Sequence, residues 1–235
     1  PCVVTFFDAF YGQEEAGHSQ AAFYSLATDT SVVHEMAAAN PIEHASNKIA
    51  RVVKSTFAAE GSSMSGARDK HLYCRLVFQA LMYGEECCNL TGDWRSSLMV
   101  DGYLVTDARS LYDHMQTTGS MPTERSAMLD LLAAKELIEQ GVIKLRWCPT
   151  QRQLADHLTK MMMSPALQEY LALGKISLTQ SKQQERVEVH KSSLRRAQRE
   201  RRKQRVKAEK VEKTSVAEAT FYTLDRGGRQ QPDVE

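Results

Sequence analysis

Residues 142–160 of this chain, Val-Ile-Lys-Leu-Arg-Trp-Cys-Pro-Thr-Gln-Arg-Gln-Leu-Ala-Asp-His-Leu-Thr-Lys, permit few folds. Val142, Ile143, Leu145 and Trp147 suit a buried strand. Pro149 cannot donate to a ladder and ends that strand, and Thr150 reads as the N-cap of a helix whose Leu154, Ala155 and Leu158 fall at helical spacing. Asp156 then stands on the first turns of the helix, just past the strand end, near its apolar edge. Taken alone, an acid in this place is a solvated carboxylate favoured by the helix dipole. Acids elsewhere in the chain change its meaning.

A chain of 235 residues with 42% hydrophobic residues can bury one proper core, so the expected organisation is one domain with an appendage. Charge divides the chain in the same way. Residues 181–213 hold 13 Lys/Arg against 5 Asp/Glu, and residues 1–180 hold 15 against 20, so an arm of +8 follows a body of −5. We therefore expect a domain over 1–175, a basic helical or disordered arm over 176–213 and a disordered tail over 214–235. No run of about 18 apolar residues is present for a membrane span. Cys2, Cys74, Cys87, Cys88 and Cys148 form neither a disulfide framework nor paired Cys-x-x-Cys clusters, which points to reduced thiols inside a cell rather than a secreted protein. The missing initiator Met, with a strand signal from residue 3, suggests a piece of a longer polypeptide.

Within the body, residues 3–7 are β-branched and aromatic and lead to Asp8, with a turn signalled by Gly12 and Glu14-Glu15. Residues 18–26 and 49–53 are the next strand candidates, flanking an undecided segment around Asn40-Pro41, and the three suit an antiparallel meander. From Ser55 the period becomes helical. Thr56 is a capping residue, and Met64, Ala67, Cys74, Val77, Phe78, Leu81 and Met82 mark one face of a long helix, weakened locally by Gly61 and Gly66. A fourth strand over 98–106 ends at Asp107 and is followed by a short helix with Leu111 and Met115, stopped by Thr118-Gly119 and Pro122. Residues 123–140 make a further helix with Leu129, Leu132, Ala133, Leu137 and Ile138 buried and Gly141 as C-cap. Beyond Met161-Met162-Met163, read as soft packing at a helix end, Leu167, Tyr170, Leu171 and Leu173 form a closing helix.

Four carboxylates, Asp8, Glu60, Asp107 and Asp156, fall at junctions of this plan. Open α/β sheets gather ligands at strand carboxyl ends, where these acids can converge. Converging carboxylates raise one another's pKa unless a cation neutralises them, and hard, oxygen-liking Mg²⁺ or Mn²⁺ suits them. The seven histidines show no ligand spacing, and His157 follows Asp156 on the helix without a catalytic reading. Asp130, between Leu129 and Leu131, reads as a helix-capping or salt-bridging acid.

Trp147-Cys-Pro-Thr-Gln-Arg-Gln-Leu-Ala-Asp156-His-Leu-Thr-Lys160 resembles the motif Tyr-Val-Pro-Thr-x-x-Gln-Leu-Ala-Asp-x-Leu-Thr-Lys of the ribonuclease H domain in copia-type LTR retrotransposon Pol polyproteins. The resemblance extends over about residues 3–175. Val105-Thr-Asp107-Ala-Arg-Ser-Leu is similar to that family's strand-ending Asp, Lys54-Ser-Thr-Phe-Ala-Ala-Glu60 to its Ser-Ser-Thr-x-Ala-Glu, and Phe7-Asp8-Ala9 to its Ser-Asp-Ala. The chain departs from the pattern at Tyr11, Gly61 and Ala108, where Trp, an aromatic and Asn are usual. It departs again at Ala127-Met128, where Lys-His usually precede the acid at Asp130.

The resemblance implies an α/β, ribonuclease H-like fold, a mixed five-stranded sheet with helices on both faces. It implies a metal-dependent endonuclease cutting the RNA strand of RNA–DNA hybrids, with two Mg²⁺ or Mn²⁺ ions. Asp8 would bridge both ions, Glu60 and Asp107 would hold the first, and Asp156 would complete the second. Expected partners are the hybrid and a reverse transcriptase domain of the same polyprotein, in a cytoplasmic particle or the nucleus. Ser19, Gln20, Ser62 and Ser63 are candidates for reading RNA 2′-hydroxyls. Arg195, Arg196, Arg199, Arg201, Arg202 and Lys203 make the arm a phosphate-binding or nuclear-import segment. A non-catalytic, nucleic-acid-binding relic of the same fold is the alternative.

Overall fold

A computed structural model describes residues 1–12, 18–84, 87, 94–95, 97–117, 125–160 and 163–179, without the side chains of residues 125 and 126. The chain divides into two units, Pro1–Thr179 and Gln180–Glu235. The second unit, and with it most of the expected arm and all of the tail, lies outside the described residues, as do Glu14-Glu15, Thr118-Gly119 and Pro122.

Strands β1 (Cys2–Phe10), β2 (Gln20–Thr28) and β3 (Ala37–Lys48) form an antiparallel meander, and helix α1 (Thr56–Tyr83) carries the chain to β4 (Asp101–Thr106). Helices α2 (Arg109–Gln116) and α3 (Arg125–Glu139) lead to β5 (Lys144–Trp147). The single turn α4 (Asp156–Thr159), then α5 (Pro165–Leu173) and the two-residue β6 (Lys175–Ile176) complete the unit. The sheet order is β5-β4-β1-β2-β3-β6, with β4 parallel to both β1 and β5. This is the expected mixed α/β class with six strands rather than five, the extra one being β6 paired with Ala37 and Ala38.

Helices cover both faces. Side chains alternate across a strand, so neighbours such as Phe6 and Phe7, or Tyr103 and Leu104, enter different cores. Phe7, Phe23 and Leu104 pack with Met64 and Ala67 of α1, Leu111 of α2 and Leu131 of α3. Val4, Phe6, Tyr24 and Val105 pack on the other face with Leu154 and with Ala166, Leu167 and Tyr170 of α5. Burial on both faces is why β1 and β4 read as continuous apolar runs.

Three expected elements move. The third strand is Ala37–Lys48 and not 49–53, because β3 lies next to the sheet edge with much of its length exposed and so lacks an apolar signature. Asn40-Pro41 sits inside it at a bulge, where Ser25 pairs with Glu43 and Leu26 with Pro41, a place that tolerates a residue with no N–H. The start of α1 is capped by Ser55, whose hydroxyl accepts from Ala58 N at 3.1 Å, and not by Thr56. In α3 the buried stripe is Ala127, Leu131, Ala134 and Leu137, while Leu129 and Leu132 face out; leucines all round the helix made several stripes possible.

The second half of α1 departs furthest from expectation. Met64, Ala67 and Cys74 are buried, but Val77, Leu81 and Met82 are exposed, and the inward side chains are His71, Arg75 and Gln79. They satisfy the backbone entering β4. Arg75 Nε donates to Val100 O at 2.9 Å, and Gln79 donates to Ser97 O at 2.8 Å while accepting from Met99 N at 2.7 Å. His71 Nδ1 shares a 2.9 Å hydrogen bond with Thr5 Oγ1. A buried carbonyl without a donor is costly, so polar side chains take positions that periodicity assigns to apolar ones.

Among the described residues, no helix is long and apolar enough to cross a membrane. Met163 is 57% exposed and does not pack; Met161 and Met162 lie outside the described residues.

Candidate metal centre

Asp8 is carried near the end of β1, which lies between β4 and β2 in the sheet, and is held there twice. Ser63 of α1 donates its hydroxyl to Asp8 O at 2.7 Å, and the Thr159 hydroxyl donates to Asp8 Oδ2. Glu60 stands one turn into α1, which brings it over β1 because α1 crosses that strand. Asp107 is the first residue past β4, beside Asp8 because β4 pairs with β1 in parallel register up to Phe6 and Val105. One carboxylate oxygen from each of Asp8, Glu60 and Asp107 lies within 4.8 Å of the other two. Among the described residues this is the one cluster of acids, histidines or cysteines of that kind.

Burial and mutual repulsion both mark the trio. Burial pushes the Asp8 carboxyl up to about 6, with the Thr159 hydrogen bond opposing and Asp107 and Asp156 adding to the rise. Glu60 is driven well above the ordinary carboxylate range by burial first and by Asp8 and Asp107 next; the backbone N–H of Ala9 pulls the other way. Asp107 is also raised by burial, with Thr150 opposing and Asp156 adding. Glu60 Oε2 is buried and has no hydrogen-bond partner. An orphaned buried carboxylate oxygen beside two further acids is a donor set that a hard divalent cation would satisfy. The residues fit such an ion.

Asp156, the fourth expected acid, reaches the edge of the cluster and not its centre. The expected helix from Thr150 does not form. Residues Thr150–Arg152 make a 3-10 turn, and α4 starts at Asp156 after Ala155. Thr150 is no N-cap; its hydroxyl donates to Asp107 Oδ2 at 2.8 Å. Asp156 Oδ1 is instead paired with the Lys160 ammonium, one helical turn on. Residues 150–160 thus attend every acid but Glu60: Thr150 bonds to Asp107, Thr159 to Asp8 and Lys160 to Asp156. These supporting residues all stand within residues 142–160, where only Asp156 carries a signal as an acid. Side chains that hold a carboxylate have no pattern of their own.

Several other candidates resolve. Ser63 is buried on Asp8 O and Ser19 is 4% exposed, so neither faces a ligand as expected; Ser62 accepts from Arg51, and Gln20 donates to Ser46. Asp130 forms an ion pair with Arg51, the salt-bridging role expected of it. His157 shares a hydrogen bond with Leu154 O and lies edge-on to Tyr24. Arg195, Arg196, Arg199, Arg201, Arg202 and Lys203 lie outside the described residues.

No protein-family profile and no curated protein sequence matches the chain. Among solved structures it is similar to the N-terminal RNase H domain of a Mycobacterium tuberculosis protein, at 16% identity and a TM-score of 0.42, over 71% of this chain and 96% of that one. It is also similar to an RNase H1, LC11, solved with an RNA/DNA hybrid, at 15% identity and a TM-score of 0.39, over 70% of this chain and 99% of that one. A third is the prototype foamy virus protease-reverse transcriptase, at 13% identity and a TM-score of 0.35, over 70% of this chain and 20% of that one. Each is a likeness of fold.

Proposed function

We propose that residues 1–179 are a divalent-metal-dependent endonuclease of the ribonuclease H type, cutting the RNA strand of RNA–DNA hybrids within a retrotransposon reverse-transcription polyprotein. The observation that carries this reading is the convergence of Asp8 and Glu60, both buried, with the half-buried Asp107, together with the orphaned Glu60 Oε2. Asp8 and Asp107 accept neutral hydroxyl hydrogen bonds and Glu60 Oε2 accepts none, so three neighbouring carboxylates are left with a repulsion that a cation between them would relieve.

In this reading Asp8, Glu60 and Asp107 would hold one ion, and Asp156 would help to hold a second; when bound, the ions would supply an activated water at neutral pH and charge neutralisation for a leaving oxygen. The chain's own residues set the geometry. β1 and β4 hold Asp8 and Asp107 side by side, while α1 presses Glu60 over them. Thr150 and Thr159 each engage one oxygen of Asp107 and Asp8, respectively, which restrains the orientation of both carboxylates. The basic arm, with Arg195, Arg196, Arg199, Arg201, Arg202 and Lys203, would add sequence-independent phosphate contacts to an otherwise acidic body. A polymerase domain of the same polyprotein would be its partner.

The test is cleavage of a labelled RNA–DNA hybrid with Mg²⁺ or Mn²⁺, comparing wild type with Asp107→Asn. Metal-dependent cutting by wild type, lost in the variant, is expected. No cutting by wild type at any metal concentration leaves only a non-catalytic nucleic-acid-binding fold.

A further inference from the structure

We propose that Lys160 is a built-in cation of the acidic centre, which a divalent ion must displace from Asp156, so that the two metal positions fill unequally. The inference rests on the metal-centre reading above and adds to it a residue that sets metal occupancy.

The asymmetry is visible in the cluster itself. Asp8, Glu60 and Asp107 approach one another to within 4.8 Å, and Asp156 is not among them. What distinguishes Asp156 is its partner. Helix α4 is one turn long and Lys160 ends it in extended backbone, with Lys160 N on Asp156 O at 3.0 Å, so the side chain folds back over the turn onto Asp156 Oδ1. The preceding residue, Thr159, engages Asp8. The end of α4 therefore contributes one hydroxyl and one ammonium to the acids.

The ammonium acts beyond its own pair. Lys160 is the cation whose field opposes the raised proton affinity of Asp8, Glu60 and Asp107 alike. Four ionised carboxylates carry −4, and Lys160 reduces this to −3, enough to be felt and too little to neutralise the centre. A first dication entering among Asp8, Glu60 and Asp107 displaces no side chain. A second, using Asp156, must share an oxygen with an ammonium or drive it off, and the two cations repel. The displacement is feasible because Lys160 is 44% exposed and its pair with Asp156 lies at the rim. A partly exposed ion pair of this kind is modest in strength, so its removal should tighten the second ion by about two-fold to five-fold.

The experiment is calorimetric titration of Mn²⁺ into wild type, Lys160→Met and Lys160→Arg of residues 1–235, without nucleic acid. Wild type is expected to bind one ion tightly and a second more weakly. Lys160→Met is expected to leave the first ion unchanged and tighten the second, while Lys160→Arg, which keeps the charge, stays close to wild type. Equal second-ion affinity in wild type and Lys160→Met, or a weaker second ion in Lys160→Met, overturns the proposal and leaves the metal centre standing. No Mn²⁺ binding by any of the three overturns both. Thermal unfolding of each protein confirms that the exposed substitution leaves the fold intact.

Discussion

The side-chain amide of Gln153 donates to the backbone carbonyl of Phe7 at 2.9 Å, tying the segment that carries Asp156 to the strand that carries Asp8 across 146 positions of sequence. β1 pairs with β4 only as far as Phe6, so Gln153 supplies a donor where the parallel ladder stops. Its own Oε1 accepts from Ala155 N at 3.3 Å, and its side chain is fully buried.

Replacing Gln153 by Ala strands the Phe7 carbonyl and loosens both Asp8 and Asp107. We expect a loss of about 1–3 kcal/mol in urea unfolding, the usual cost of an unsatisfied buried polar group. Hybrid cleavage should fall with it. Full stability in Gln153→Ala would show that the segment is held some other way.

The metal-free centre makes stability depend on pH in a definite sense. Asp8 has a carboxyl raised from 3.8 to about 6 in the folded protein. The folded state then holds its proton more tightly than the unfolded chain, so this contribution is fully present below pH 3.8 and is lost as pH rises through about 6. With chelator present, Asp8→Asn should be more stable than wild type at pH 7 by up to roughly 3 kcal/mol, the equivalent of a shift of about two pKa units. The difference should vanish near pH 4. Parallel pH profiles for the two proteins would contradict this.

Glu60→Gln separates charge from shape. Without metal, removing a buried charge next to Asp8 and Asp107 should leave the protein at least as stable as wild type. With Mn²⁺ at about a hundred times its dissociation constant, wild type should gain about 2.7 kcal/mol by linkage. Glu60→Gln should lose most of that gain, read as the metal-induced shift in Tm. An undiminished shift would place the ion elsewhere.

Gly102 lies in β4 against the buried polar row of α1. A Cβ there would meet His71 Nε2 at 2.3 Å and Arg75 Cδ at 2.7 Å. Both side chains are buried and hydrogen bonded, so neither can retreat cheaply. Gly102→Ala should cost at least about 1–3 kcal/mol in chemical denaturation, with the hydrogen bond from Arg75 to Val100 O at risk. A neutral effect would mean that α1 can slide away from the sheet.

Deleting residues 181–213, with their 13 Lys/Arg, should make the dependence of hybrid affinity on salt shallower, since fewer counterions are released. The measurement is the slope of log affinity against log salt for the full chain and the truncated one. An unchanged slope would remove the arm from the interface.

Much of this architecture was legible where apolar spacing and helix or turn signals agree. β1, β2, β4, β5 and the helices around Met64, Leu111 and Leu137 follow from such patterns, as does the closing helix, which starts at Ser164-Pro165 and stops at the left-handed Gly174. Signals failed where burial and polarity part company. β3 is exposed along much of its length and so carries no stripe, while Arg75 and Gln79 are buried on backbone carbonyls and His71 on the Thr5 hydroxyl.

By itself the sequence determined which residues are acids, that four of them fall at element junctions, and that a Pro-Thr turn followed by Leu154 and Ala155 lies just before Asp156. Distances are another matter, because spacing along a chain does not encode distance across a sheet. Only the tertiary structure decided that Asp8, Glu60 and Asp107 share one buried space and that Asp156 stands at its rim with Lys160. The parallel pairing of β1 with β4, and the length of a single-turn helix, decide where those oxygens lie. Both emerge from packing the whole unit together.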